Sequence, residues 1–194
     1  MTFTPLAERL RPQQLSDVLG QQHLLGQGKS ITQMLARGHL HSMILWGSGG
    51  LGKTTLARFL SQTVPARWYA LSGVQDGVKD IKQLLAQAQA ERAQGVKSVC
   101  FVDEIHRFNK TQQDALLPSI ESGLITLIGA TTENPSFSLN NALLSRARVY
   151  VLKPLSADDV LQLMTRALVQ LSQDFDIKKE ISIAKEAVPW VLAW

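Results

Sequence analysis

Short apolar runs alternate along this chain with longer stretches whose apolar positions recur three and four residues apart. The runs at 43–46 (MILW), 67–71 (RWYAL), 98–102 (SVCFV), 124–130 (LITLIGA) and 149–152 (VYVL) predict five strands. Between them, a helix follows residue 53 to about residue 63. A longer one covers 78–94, with Ile81, Leu84, Leu85 and Ala88 on one face and Gly95 as its stop. A third covers 111–120, where Pro118 is expected to kink or shorten it. Short helical pieces are expected at 31–37 and 139–145, and residues 1–29, with Pro5, Pro12, Gly20, Gly26 and Gly28, read as a loop-rich arm. After Pro154, Ser156 is a good N-cap with Asp158 and Asp159 in the first turn. Val160, Leu163, Met164, Ala167, Leu168 and Leu171 then form one apolar face. A last helix is expected from about Glu180, ending in the apolar stretch 188–194.

Strands that are apolar throughout and alternate with helices specify an α/β fold with a parallel sheet covered on both faces. Ligands on such sheets bind at the carboxyl ends of the strands. The expected division is an α/β core with its N-terminal arm over 1–153 and a small second unit over 154–194. No internal repeat or low-complexity tract interrupts this plan.

Composition narrows the class. Hydrophobic residues make up 45% and charged residues 19%, the balance of a folded globular protein and not of a disordered one. A formal net charge of +4 permits contact with a polyanion without demanding it. The one cysteine, Cys100, lies within an apolar run and reads as a buried thiol in a reducing compartment. The N-terminus has no apolar signal core, and no run reaches the length of a membrane span, so the expected location is cytoplasmic.

The chemistry is concentrated after the strands. Gly47, Ser48, Gly49, Gly50, Leu51, Gly52, Lys53, Thr54 and Thr55 follow the first strand and fit the P-loop pattern G-x-x-x-x-G-K-[ST]. Glycines let successive backbone N–H groups turn inward around a phosphate chain, and the next helix points its positive end at the same anion. Lys53 would reach the β- and γ-phosphates of ATP, and the Thr54 hydroxyl would sit on Mg²⁺. The third strand ends in Asp103-Glu104, the Walker B arrangement. Asp103 would hold Mg²⁺, and Glu104 would orient and deprotonate the attacking water. Two acids at a strand end also suit a helix cap, but an upstream P-loop favours the catalytic reading. Thr132, closing the fourth strand, is placed to touch the attacking water or the γ-phosphate, or else serves as an ordinary turn residue. Asp103 to His106 spells DEIH, yet a helicase of that kind needs a second motor domain. His106 therefore reads as a hydrogen-bonding residue near the site. Scattered histidines give no support to a zinc site. Before the fifth strand, Arg146 or Arg148 suits an arginine that stabilises charge on a neighbouring subunit's phosphate, and either equally suits a surface position. Lys79, Lys82, Arg107 and Lys110 are the candidate DNA contacts, although solvated helix ends have the same look.

With these motifs assembled, the chain resembles the AAA+ ATPases, and within them the replication-associated recombination protein A branch, a bacterial relative of the Werner helicase-interacting ATPase. The resemblance rests on PLAERLRPQQLSDVLGQQHLLGQGK, SMILWG with GKTTLAR, ALSGVQDGVKDI, FVDEIHRFNKTQQDALLPSIESGLITLIGATTENPSF and LLSRARVYVLKPL, and it spans about residues 5–155. It implies a five-stranded AAA+ domain with the beginning of a helical lid, Thr132 as the sensor-1 residue and Arg146 as the arginine finger. It also implies an oligomeric ATPase using ATP and Mg²⁺, acting on single-stranded or fork DNA alongside replication proteins. Two departures stand out. The P-loop reads GSGGLGKTT where the family usually has prolines after the first glycine. The lid's sensor-2 arginine and the C-terminal oligomerisation region have no matching residues. The expectation is therefore a chain that binds ATP–Mg²⁺ but turns it over slowly by itself. The competing readings are a Holliday-junction branch-migration motor, a clamp-loader-type ATPase, or a truncated ATP-binding chain with little turnover.

Overall fold

The computed structural model describes residues 4–174. Their contacts divide into two units, one spanning Gln22–Lys153 and one built from the segments before and after it.

In the larger unit, α2 (Gln22–Leu25; α1, Leu6–Arg9, precedes it in the chain) and α3 (Ser30–Ala36) lead into β1 (Met43–Trp46). Then follow α4 (Lys53–Gln62), β2 (Ala66–Ser72), α5 (Val78–Arg92), β3 (Lys97–Asp103), α6 (Lys110–Glu121) and β4 (Ile125–Thr131). Two single turns, α7 (Pro135–Ser138) and α8 (Asn141–Leu144), precede β5 (Arg148–Val151). The strands form one sheet in the order β2-β3-β4-β1-β5, parallel at every pairing. Strand β1 lies between β4 and β5, with Met43 opposite both Ile128 and Arg148. The central strands carry the core. Ile44, Cys100, Val102 and Leu127 are fully buried, and Ile81 and Leu116 close over them from α5 and α6. Parallel crossovers put helices on both faces, which is why these strands are apolar throughout. The edge strands β2 and β5 are only partly buried.

Two local expectations change. Helix α6 runs through Pro118 to Glu121 without ending there. Its start is fixed by a reciprocal cap, in which Gln112 N–H donates to Asn109 Oδ1 and Asn109 N–H to Gln112 Oε1. Its buried residues Gln113, Leu116 and Ser119 anchor the helix on both sides of the proline's missing donor. Helix α7, at positions the sequence pattern left without an element, starts at Pro135 with Asn134 capping Ser136 N–H.

In the second unit, α9 (Ala157–Asp174) begins at the expected cap. Asp159 N–H donates to Ser156 Oγ at 3.1 Å, and Ser156 N–H to Asp159 Oδ2 at 2.9 Å. The arm is tied to this helix. Gly20 N–H donates to Asp159 Oδ1, Arg166 donates to the Asp17 carbonyl, and Arg9 pairs with Asp174. The hydrogen bonds from Ser156 hold the Asp159 carboxyl below its usual range. The helix expected from about Glu180 and the apolar stretch 188–194 lie outside the described residues.

Candidate nucleotide site

Four segments leave the carboxyl ends of neighbouring strands on the same edge of the sheet: the glycine loop after β1, Gly73 after β2, Asp103-Glu104 on β3, and Thr131-Thr132 on β4. The loop turns because Gly50 and Gly52 have φ of +76° and +77°, a region that penalises a Cβ. Lys53 opens α4 and is 7% exposed, with its ammonium donating to the Gly47 and Ser48 carbonyls at 2.7 Å each. Burial lowers its pKa, while the negative charges of Glu104 and Asp103 act the other way. Ser48, Gly49, Gly50 and Thr54 are exposed around this buried cation, and Leu51 and Thr55 are half-buried.

Glu104 sits in the left-handed region, φ 49° and ψ 48°, unusual for a residue with a side chain. Such a backbone costs about 1–3 kcal/mol and persists only where neighbours enforce it. Here Gly73 enforces it. Gly73 N–H donates to the Asp103 carbonyl at 2.7 Å, and a Cβ on Gly73 would lie 2.1 Å from the Glu104 carbonyl oxygen. The Glu104 carboxylate is then gripped from two elements. Thr132 Oγ1 donates to its Oε2 at 3.3 Å, and His106 Nδ1 lies 3.1 Å from the same oxygen. The His106 side chain is 4% exposed. Its Nδ1 is also 3.0 Å from Thr131 Oγ1, and its Nε2 lies 3.5 Å from Glu133 Oε1. Asp103 Oδ1 accepts the Glu104 N–H at 3.2 Å. Asp103 and Thr54 offer only hard oxygen donors, the set that suits Mg²⁺ completed by water and phosphate.

The structure thus brings the glycine loop, Lys53, Thr54, Asp103, Glu104 and Thr132 to one edge. Arg146 lies apart from them. Its guanidinium pairs with Glu121 and donates to the Ala142 carbonyl and Ser145 Oγ. Arg148 opens β5 at the opposite, amino end of the sheet. Lys79, Lys82, Arg107 and Lys110 are all exposed. Two contributors had no role in the sequence reading: Gly73 and Glu133. A glycine directly after a strand was the only signal for the first. The two threonines are indistinguishable in sequence, whereas burial separates them: Thr131 points into the fold and Thr132 outward.

Known proteins share the sequence and the fold. The family profile described as "ATPase family associated with various cellular activities (AAA)" matches residues 43–155. Replication-associated recombination protein A of Escherichia coli K12 is 56% identical over 167 residues, covering 86% of this chain and 37% of that protein. The Haemophilus influenzae protein of the same name is 48% identical over 98% of this chain and 42% of its own length. The ATPase WRNIP1 of Dictyostelium discoideum is 48% identical over 86% of this chain and 19% of its own. The chain thus spans about two-fifths of the bacterial relatives' length. Among solved structures, the Thermotoga maritima RuvB Holliday junction branch migration motor superposes with a TM-score of 0.73 at 27% identity, over 94% of this chain and 59% of that one.

Proposed function

This chain belongs to the AAA family of ATPases, and from that premise we propose that it binds ATP with Mg²⁺ and hydrolyses it to act on DNA during replication-fork maintenance and recombination. The observation that carries the reading is the convergence at one sheet edge of a phosphate-wrapping loop, a buried ammonium and a carboxylate held by Thr132 and His106.

The roles follow from the chemistry each group allows. Gly47, Ser48, Gly49, Gly50, Leu51 and Gly52 cradle the phosphates with backbone N–H groups, and Thr55 supports the first helical turn behind them. Lys53 exchanges its two loop carbonyls for phosphate oxygens. The exchange costs little because the ammonium is already desolvated. Thr54 and Asp103 would hold Mg²⁺, which neutralises charge on the transferring phosphoryl group when bound. Glu104 orients water and takes its proton, and Thr132 keeps its carboxylate aimed. Arg146 would serve a neighbouring subunit's γ-phosphate as the arginine finger. The functional division is an ATPase core with its arm over 1–153 and the start of a helical lid over 154–194. The DNA reading follows the printed name of the relatives, with single-stranded or fork DNA as the substrate and a homo-oligomer, in company with replication proteins, as the working form. A cytoplasmic setting suits Cys100, whose buried thiol is pushed up to about 12. No helix among the described residues is long and apolar enough to cross a membrane.

Nucleotide binding and turnover, measured separately, test the site. Lys53→Ala is expected to abolish tight ATP binding with the fold retained. Glu104→Gln is expected to keep binding and lose at least a hundredfold in turnover, the scale of a positioned general base. Both variants binding and turning over ATP like the parent would overturn the assignment. The likeness to a branch-migration motor supplies the second reading, and preferential stimulation by four-way junctions over forks would favour it.

A further inference from the structure

At the amino ends of β1 and β5, on the edge of the sheet opposite the glycine loop, lies a second cleft of about 510 Å³. One wall is α3 with its C-cap, where Gln33, Met34 and Arg37 are spaced so that they line it together. The connecting loop adds His39 and His41, and the first residue of β5 adds Arg148. No carboxylate lines it. Neither Arg37 nor Arg148 has an acidic partner among the described residues. His41 is fixed in place by its Nε2, 3.0 Å from the Tyr150 hydroxyl. Two guanidiniums thus line one concavity with no carboxylate among its lining residues, a local excess of positive charge. An anion with several oxygens relieves it, because each guanidinium offers a planar pair of donors that matches phosphate.

Resting on the reading that the chain acts on DNA, we propose that this cleft is a second phosphate site, separate from the ATP site, that takes backbone phosphates of a nucleic-acid strand. Its lining draws from α3, the loop before β1 and the start of β5, so its cations are spread over several segments, as suits neighbouring phosphates of a chain. Its position on the far edge leaves the ATP site free while it is filled. The class of ligand is a phosphate ester, whose source is either a strand or a small phosphate compound.

The test compares Arg37→Gln/Arg148→Gln with the quadruple variant Lys79→Ala/Lys82→Ala/Arg107→Ala/Lys110→Ala. Anisotropy of a labelled single-stranded oligonucleotide is titrated across a range of salt, and inorganic phosphate is titrated alone by calorimetry. The substituted side chains are solvent-facing, and a thermal melt of each variant checks the fold. The double variant should weaken oligonucleotide binding about tenfold at 0.1 M salt. It should also flatten the log–log salt slope by about 1.4, the loss of two single-strand phosphate contacts. Its ATP affinity should stay at the parent value. An unchanged slope in the double variant, with a flattened slope in the quadruple one, overturns the proposal and returns the strand to the nucleotide edge. Phosphate binding that the double variant abolishes, with oligonucleotide binding untouched, overturns the strand as the source.

Discussion

At the residue scale, the site depends on one missing methyl group. Gly73 lets β2 and its loop lie against the Glu104 carbonyl, where a Cβ would come within 2.1 Å of a backbone atom that cannot swing away. Gly73→Ala must therefore displace the end of β3. We expect a loss of about 1–3 kcal/mol in chemical denaturation, the usual scale of overpacking. Turnover should fall further than ATP affinity, because the displaced group is Glu104, the proposed base, and not the phosphate loop. Equal losses in both would show that the substitution acts through stability alone. His41 gives a second prediction. Burial, and then the charge of Arg148, lowers its pKa below the ordinary 6.5. As pH falls through about 6.5, the unfolded chain takes up this proton before the folded one does, so the contribution to stability is full above that pH and is lost below it. Melting temperature should drop from pH 7 to pH 5, and His41→Gln should remove part of that slope. A variant with the parent's full slope would exclude His41 as a source.

At the element scale, a buried amide joins pieces that have no strand to join them. Gln113, 4% exposed on α6, donates to the Phe108 carbonyl at 2.9 Å and more weakly to that of Ser138, and its Oε1 accepts the Asn140 N–H at 2.8 Å. It ties the turn after Glu104 to α7 and α8, which lead into Arg146. Gln113→Leu keeps the volume but leaves a buried donor and acceptors without partners. The expected cost is about 1–3 kcal/mol per stranded group, read from denaturant midpoints. Hydrogen exchange should rise in α7 and α8 before it rises in β3 or β4. Uniform destabilisation of the sheet would contradict this role.

At the scale of the whole molecule, Arg146 and Glu104 should serve different copies. Arg146 is occupied by Glu121 within its own chain, so finger action requires a second copy to draw it away. Dilute chain should hydrolyse ATP slowly, and Arg146→Ala should change that rate little. Wherever copies associate, the same substitution should cost roughly a thousandfold or more, the range known for such arginines. Mixing Arg146→Ala with Glu104→Gln provides a sharper check. Each variant carries the half that the other lacks, so the mixture should recover turnover that neither shows separately. No recovery at any concentration would place Arg146 outside the catalytic machinery.

The strands and the phosphate loop were legible in the sequence because both obey local rules. A strand buried on both faces must be apolar throughout, and a loop that wraps phosphates must be glycine-rich and end in Lys-Thr, so 43–46 and 47–55 declare themselves. Asp103 and Glu104 stood out because they close an apolar run downstream of a P-loop, since two acids at a strand end alone would equally suit a helix cap. The relations that carry no local signal were decided by tertiary structure. Pro118 stays inside a helix because buried neighbours on α6 outweigh one lost donor. Strand order brings β4 between β1 and β3, and so sets Thr132 beside Glu104, 28 positions away in sequence. The second cleft draws Arg37 and Arg148 from segments over a hundred residues apart, and the pairing of β1 with β5 sets Arg148 beside Met43 at its edge. Sequence spacing constrains what lies within a few residues, where backbone geometry is fixed. Contacts between distant segments follow from which faces bury one another, and that is settled when the whole sheet assembles.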